Sequence, residues 1–116
     1  MENKTRKESD SIGTLEVPAD AYYGVQTLRG AENFKITGVK TNYAFIKNVV
    51  RIKKAAAKVN ARFGSLDEQT ADAIVEACKE VLGGKFKKEF ITDAVQGGAG
   101  TTINMDVNEV LANRAT

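Results

Sequence analysis

The stretch QGGAGTTINMDVNEV, Gln96 to Val110, carries residue types that can do chemistry at a spacing that matters. Three glycines occupy four consecutive positions, two threonines follow at once, and helical periodicity begins there. Glycine loses more conformational freedom on folding than any other residue, so such a run signals a close backbone approach or unusual backbone angles. A glycine loop feeding a helix N-terminus offers free N–H groups and the positive end of the helix dipole to an anion. The hydroxyls of Thr101 and Thr102 can donate to a carboxylate oxygen or accept from an amine. A phosphate loop would need a lysine where these threonines stand, and the dinucleotide fingerprint would need a glycine at Ile103, so both nucleotide patterns fail. A plainer reading uses the same residues: the glycines turn the chain and a threonine caps its own helix. Spacing alone leaves the two readings open.

Little else in the chain is equipped for chemistry. The 116 residues contain no histidine and one cysteine. The commonest general base is therefore missing, as are Ser-His and Cys-His dyads and the usual zinc ligand sets. Cys78 falls within a helical pattern and reads as a small core side chain rather than a nucleophile. Seventeen basic and fifteen acidic residues leave a net charge of +2. That balance argues against nucleic acid, and no basic stretch is interleaved with stacking aromatics. There is no signal core and no segment long enough to span a membrane, so a soluble cytoplasmic protein is the expectation.

The elements that must position the loop follow from periodicity. Length suits one small domain, mainly α, with a short extended or hairpin N-terminal segment. Residues 1–10 read as a mobile charged tail and 11–116 as the domain. From Ile12 to Arg29, β-leaning residues are punctuated by Gly13, Pro18 and Gly24, predicting extended segments or a hairpin with Pro18 at an edge or turn. Gly30–Lys40 continues irregularly. From Asn42 a helix is predicted, with Phe45, Val49, Ile52, Ala56 and Val59 on its apolar face and a stop at Gly64. Ser65 and Glu68 form a capping-box pattern ahead of a second helix, striped by Ala71, Ile74, Val75, Cys78, Val81 and Leu82 and ended by Gly83 and Gly84. Phe90–Val95 reads as extended. Ile103, Val107, Val110 and Leu111 mark a third helix capped by Thr101 or Thr102. It reaches the last residues without a stop signal, which suggests a truncated unit.

Three blocks resemble the aspartase/fumarase superfamily: QGGAGTTINMDVNEVLANRA (Gln96–Ala115), VPADAYYGVQTLRGAENF (Val17–Phe34) and IKKAAA (Ile52–Ala57). Within that superfamily the loop is similar to those of aspartate ammonia-lyases, which implies elimination of ammonia from L-aspartate to give fumarate. No organic cofactor is implied, although some relatives are activated by a divalent metal, for which this chain supplies no ligand cluster. The resemblance assigns substrate contact to Thr101, with the backbone of Gly97–Gly100, Gly98 and Gly100 included, shaping the loop. Thr102 and Asn104 match neighbouring polar positions. Arg29 matches a family arginine that either contacts substrate or anchors the N-terminal segment. Asp106 stands where relatives usually carry asparagine and is expected to face away from substrate. The family's catalytic serine loop and Thr-His pair are absent, so no catalytic residue is expected in this chain. The resemblance further implies a homotetramer whose sites draw on three subunits, with a small dicarboxylate as substrate. Fumarate hydratase or another superfamily lyase, and a stand-alone anion-binding helical module, are the alternatives.

Overall fold

The charged N-terminal stretch folds back as the first element. β1 (Thr5–Ser9) pairs antiparallel with β2 (Thr14–Pro18), Arg6 opposite Val17 and Glu8 opposite Leu15. The expected tail is therefore a strand over 5–9; its first three residues lie outside those described, because the computed structural model describes residues 4–116. TRKES has no apolar residue, and its order comes from partners. One is the ladder to β2, and the other is the Arg6 guanidinium, which donates to the carbonyl oxygens of Pro18, Ala21 and Tyr23 at 2.8 Å each. Pro18 closes an edge strand, as expected of a residue without a ladder donor.

The second difference is α1 (Val25–Asn33), a helix where extended and irregular chain was expected. Val25, Thr27 and Gly30 are weak helix formers, and Gly24 offers no side chain to cap the first turn. The cap comes from elsewhere. Glu109 accepts from the Thr27 N–H at 2.7 Å, the Thr27 hydroxyl at 2.6 Å and the Gln26 N–H at 3.2 Å, while Glu8 accepts from the Val25 N–H at 3.1 Å. Two carboxylates thus sit at the positive end of the helix dipole. Glu109→Gln keeps the shape but removes the charge, and is expected to lower stability by about 2 kcal/mol. Urea unfolding of the two proteins side by side measures this, and an unchanged midpoint would show that α1 stands without the cap.

The long helices follow their periodicity more closely. α2 (Tyr43–Arg62) is capped by Asn42, which accepts from the Ala44 N–H at 2.8 Å. α3 (Glu68–Leu82) is capped by Asp67 rather than Ser65, because Asp67 reaches both the N–H and the hydroxyl of Thr70, at 3.1 and 2.6 Å. α4 (Thr101–Ala115) runs from the glycine loop. Their shared core consists of Ile46 and Val50 from α2, Ala77, Cys78 and Val81 from α3, and Ile103, Val107, Val110 and Leu111 from α4, with Phe90 from the connecting segment. Cys78 is fully buried, and burial pushes its thiol pKa up, so it is an inert core residue. On α2 the covered face is the other one: Ile46, Val50 and Ala57 are buried, whereas Phe45, Ile52 and Val59 are exposed. Phe90–Val95 forms no strand beyond one bridge between Lys40 and Asp93, and a single 3-10 turn (Lys87–Glu89) precedes it.

Candidate functional site

The glycine loop is held from behind by two side chains. Asp93 accepts from the N–H groups of Val95 (2.8 Å), Thr37 and Gly38 (2.9 Å each) and from the Thr37 hydroxyl (2.8 Å). These donors, Val95 first, hold its carboxyl far below the usual carboxylate range, so Asp93 is a fixed anion that ties the 37–39 turn to the segment entering the loop. Gln96 then spans the loop: its Nε2 donates to the Asp93 carbonyl at 2.7 Å and its Oε1 accepts from the Ile103 N–H at 2.8 Å. Gln96 is thus the cap of α4, a role expected of Thr101 or Thr102. It was hidden because the capping atom lies seven residues from the N–H it serves.

Between these anchors the backbone winds left-handed. Gly98, Ala99 and Gly100 have φ values of +90°, +56° and +83°. Alanine at such an angle costs roughly 1–2 kcal/mol, and strain of this kind gathers at ligand clamps. The N–H groups of Ala99, Gly100 and Thr102 take no partner among the described residues. Thr101 opens α4, is exposed, and its hydroxyl likewise has no partner among them. A Cβ on Gly98 would lie 2.7 Å from that hydroxyl oxygen, so glycine there also leaves the hydroxyl room.

Thr101 and Thr102 face Arg29, Gly30 and Asn33 of α1 across an open cleft of about 350 Å³ that Asp10 also lines. α1 approaches this closely because residue 30 is glycine; a Cβ there would lie 2.5 Å from the Thr102 methyl carbon. Arg29 is engaged side-on by Asp10, its Nε donating at 2.9 Å and its Nη2 at 3.1 Å. The guanidinium beside Asp10 holds that carboxyl below its ordinary value. This pair ties α1 to the turn of the hairpin, the anchoring arrangement of the two weighed for Arg29. Gly100 lies on the other side of the loop, in a second cleft of about 380 Å³ with Phe45, Gln96 and Ile103. Asn104 turns toward α2, where its Oδ1 accepts from the Lys53 ammonium at 2.6 Å. Asp106 points into the interior with no exposure at all, away from the cleft. Of the residues singled out, Thr101, Thr102 and Arg29 meet in one cleft, and Gly98 shapes its edge.

A strained glycine loop with open N–H groups and an unengaged hydroxyl at a helix start has the chemistry to receive a small anion. Comparison with known proteins gives that loop a setting. A family model described as "Lyase" matches residues 13–116. Aspartate ammonia-lyase from Bacillus sp is 50% identical over 115 residues, covering 99% of this chain and 25% of that protein. Class II fumarate hydratase from Halobacterium salinarum is 47% identical over 115 residues, covering 99% of this chain and 24% of that protein. The crystal structure of fumarate lyase:delta crystallin from Brucella melitensis in native form superposes with a TM-score of 0.94 at 46% identity, over 97% of this chain and 26% of that one. The chain belongs to this lyase family, the aspartase/fumarase superfamily, and spans about a quarter of the length of the relatives it matches.

Proposed function

We propose that the chain is the substrate-loop domain of an aspartate ammonia-lyase and that the cleft beside Thr101 receives a carboxylate of L-aspartate. The observation that carries this reading is the Thr101 hydroxyl: it is exposed, has no partner among the described residues, and stands beside unengaged N–H groups at a helix start. In the reaction, a base takes the proton from the carbon next to one carboxylate, and the electron pair moves into that carboxylate as an aci-carboxylate. It then returns to form the fumarate double bond as the C–N bond breaks and ammonia leaves. Charge builds on the carboxylate oxygens between these events, and fixed donors aimed at them lower the barrier. Thr101 and the N–H groups of the loop are such donors. Arg29, held by Asp10, positions α1 against the loop, and Asn104, held by Lys53, sits one turn further along α4.

The loop sequence GGAGTTINMD supports the aspartate branch over the hydratase branch. The complete lyase works as a cytoplasmic homotetramer, with the base and the remaining walls supplied from outside these 116 residues. Two assays test this reading. The complete lyase is expected to release fumarate and ammonia from L-aspartate and to leave L-malate unchanged; turnover of malate instead would place the chain in a fumarate hydratase. The 116-residue chain alone, which contains no imidazole, is expected to release no fumarate from L-aspartate. Fumarate formation that scales with the concentration of the purified chain would overturn that expectation.

A further inference from the structure

One side-chain amide closes the glycine loop. Gly97, Gly98, Ala99 and Gly100 are all exposed, and the bonds their carbonyls make are local: Gly98 accepts from the Thr101 N–H at 3.1 Å and Gly100 from the Asn104 N–H at 3.0 Å. Three successive residues with positive φ persist only when the surrounding structure holds them there. Gln96 spans them. Its Nε2 donates to the Asp93 carbonyl at 2.7 Å and its Oε1 accepts from the Ile103 N–H at 2.8 Å, so the entry of the loop is tied to the first turn of α4. The Asp93 end is itself fixed, because that residue is buried and its carboxylate takes four donors. Glutamine suits the task because its amide nitrogen donates while its oxygen accepts. Glutamate would keep the acceptor and lose the donor, and asparagine is one carbon shorter.

Gln96 does not line the cleft of Thr101 and Arg29; it borders the other cleft, with Phe45, Gly100 and Ile103. Any influence it has on the Thr101 cleft therefore passes through the loop. We propose that Gln96 is a positioning residue: by pinning both ends of the loop, it sets the direction in which the Thr101 hydroxyl and the N–H groups of Ala99 and Gly100 meet a bound carboxylate. The inference rests on the reading of that cleft as a carboxylate site. Released at one end, a segment with glycine at 97, 98 and 100 would sample many backbone conformations, and its donors would lose their common aim. Aim matters because the extra charge on the carboxylate oxygens exists only around the transition state. A displacement of about 1 Å in the reacting geometry can cost a hundredfold in rate.

The test is a double-mutant cycle on the complete lyase with L-aspartate as substrate. It combines Thr101→Val with Gln96→Met, which keeps the length of glutamine and removes both bonds. In the natural enzyme Gln96→Met is expected to lower kcat/KM by about tenfold to a hundredfold, chiefly through kcat. In the Thr101→Val enzyme the same change is expected to cost no more than about threefold, because the hydroxyl that Gln96 positions is already gone. A residue that only stabilises the fold would lower both enzymes by the same factor. Circular dichroism checks that the variant folds, and Gln96→Glu, which still accepts from the Ile103 N–H, serves in its place if it does not. Equal factors in the two backgrounds, or unchanged kinetics in Gln96→Met beside a fall in Thr101→Val, would overturn the inference and leave the carboxylate site standing. Unchanged kinetics in Thr101→Val would instead remove the carboxylate site, and this inference with it.

Discussion

Asp106→Asn is expected to abolish most of the loss of stability that the chain otherwise suffers between about pH 5 and pH 8, a difference on the order of 4 kcal/mol. Asp106 lies on the inner face of α4, with no exposure and with neither carboxyl oxygen hydrogen-bonded. Burial is the main reason its pKa is pushed up to about 8, and the negative charges of Glu109, one turn further along, and of Glu89 add to the effect. The folded chain therefore keeps a proton that the unfolded chain gives up near its ordinary value of 3.8. Between those two values the folded state binds more protons, so stability falls as pH rises and levels off above the folded pKa. Asparagine has the same shape and no proton to lose, and its profile is expected to be flat there.

Carboxylates of the opposite kind set the acid limb. Asp10, Asp67 and Asp93 are all held below their ordinary value by hydrogen bonds to the ionised form. The stability they contribute is present above that ordinary value and is lost as pH falls below it. The chain is thus expected to be most stable near about pH 5, with the alkaline limb belonging to Asp106. Urea unfolding midpoints of both proteins across this range provide the measurement. Parallel profiles would mean that Asp106 ionises in the folded chain without cost.

What the sequence reveals depends on how far apart the partners are. α2, α3 and α4 are legible because each repeats its apolar residues at helical spacing, a property local to the helix. α1 is not, because its cap is Glu109, 82 residues beyond Thr27, and its packing partner Thr102 is equally remote. β1 reads as tail for the same reason, since only its pairing with β2 and the reach of Arg6 order it. The face of α2 is a different kind of error. Apart from Val49, which is half-buried against the core, its more regular apolar stripe is the exposed one, and the shorter set Ile46, Val50 and Ala57 enters the core. Periodicity says that apolar residues share a face, not what covers it. At the site, the glycine loop and Thr101 stand out because backbone freedom and hydroxyls leave a local signature. Gln96 and Asp93 lie in or beside the same stretch, yet their roles depend on atoms brought together only by folding.

Thr101→Val separates the two meanings of that threonine. Valine matches the shape of threonine and removes only the hydroxyl. In the isolated chain the hydroxyl caps nothing, because Gln96 already takes the Ile103 N–H and Thr101 is exposed. Stability is therefore expected to change by no more than about 0.5 kcal/mol, the usual range for a surface site. On the proposed function, the same hydroxyl in the complete lyase is a donor aimed at a carboxylate that gains charge during the reaction. Removing one such donor is expected to lower kcat/KM by about a hundredfold to a thousandfold, equivalent to roughly 2.7–4 kcal/mol of lost transition-state stabilisation. If the hydroxyl acts on the charge that develops during the reaction, kcat falls with kcat/KM; if it only holds the substrate, KM rises and kcat stays the same. Thermal unfolding of the 116-residue variant and steady-state kinetics of the complete enzyme supply the two readouts. A loss of stability with unchanged kinetics would make Thr101 a helix cap after all, and the carboxylate site would have to be sought elsewhere on the loop.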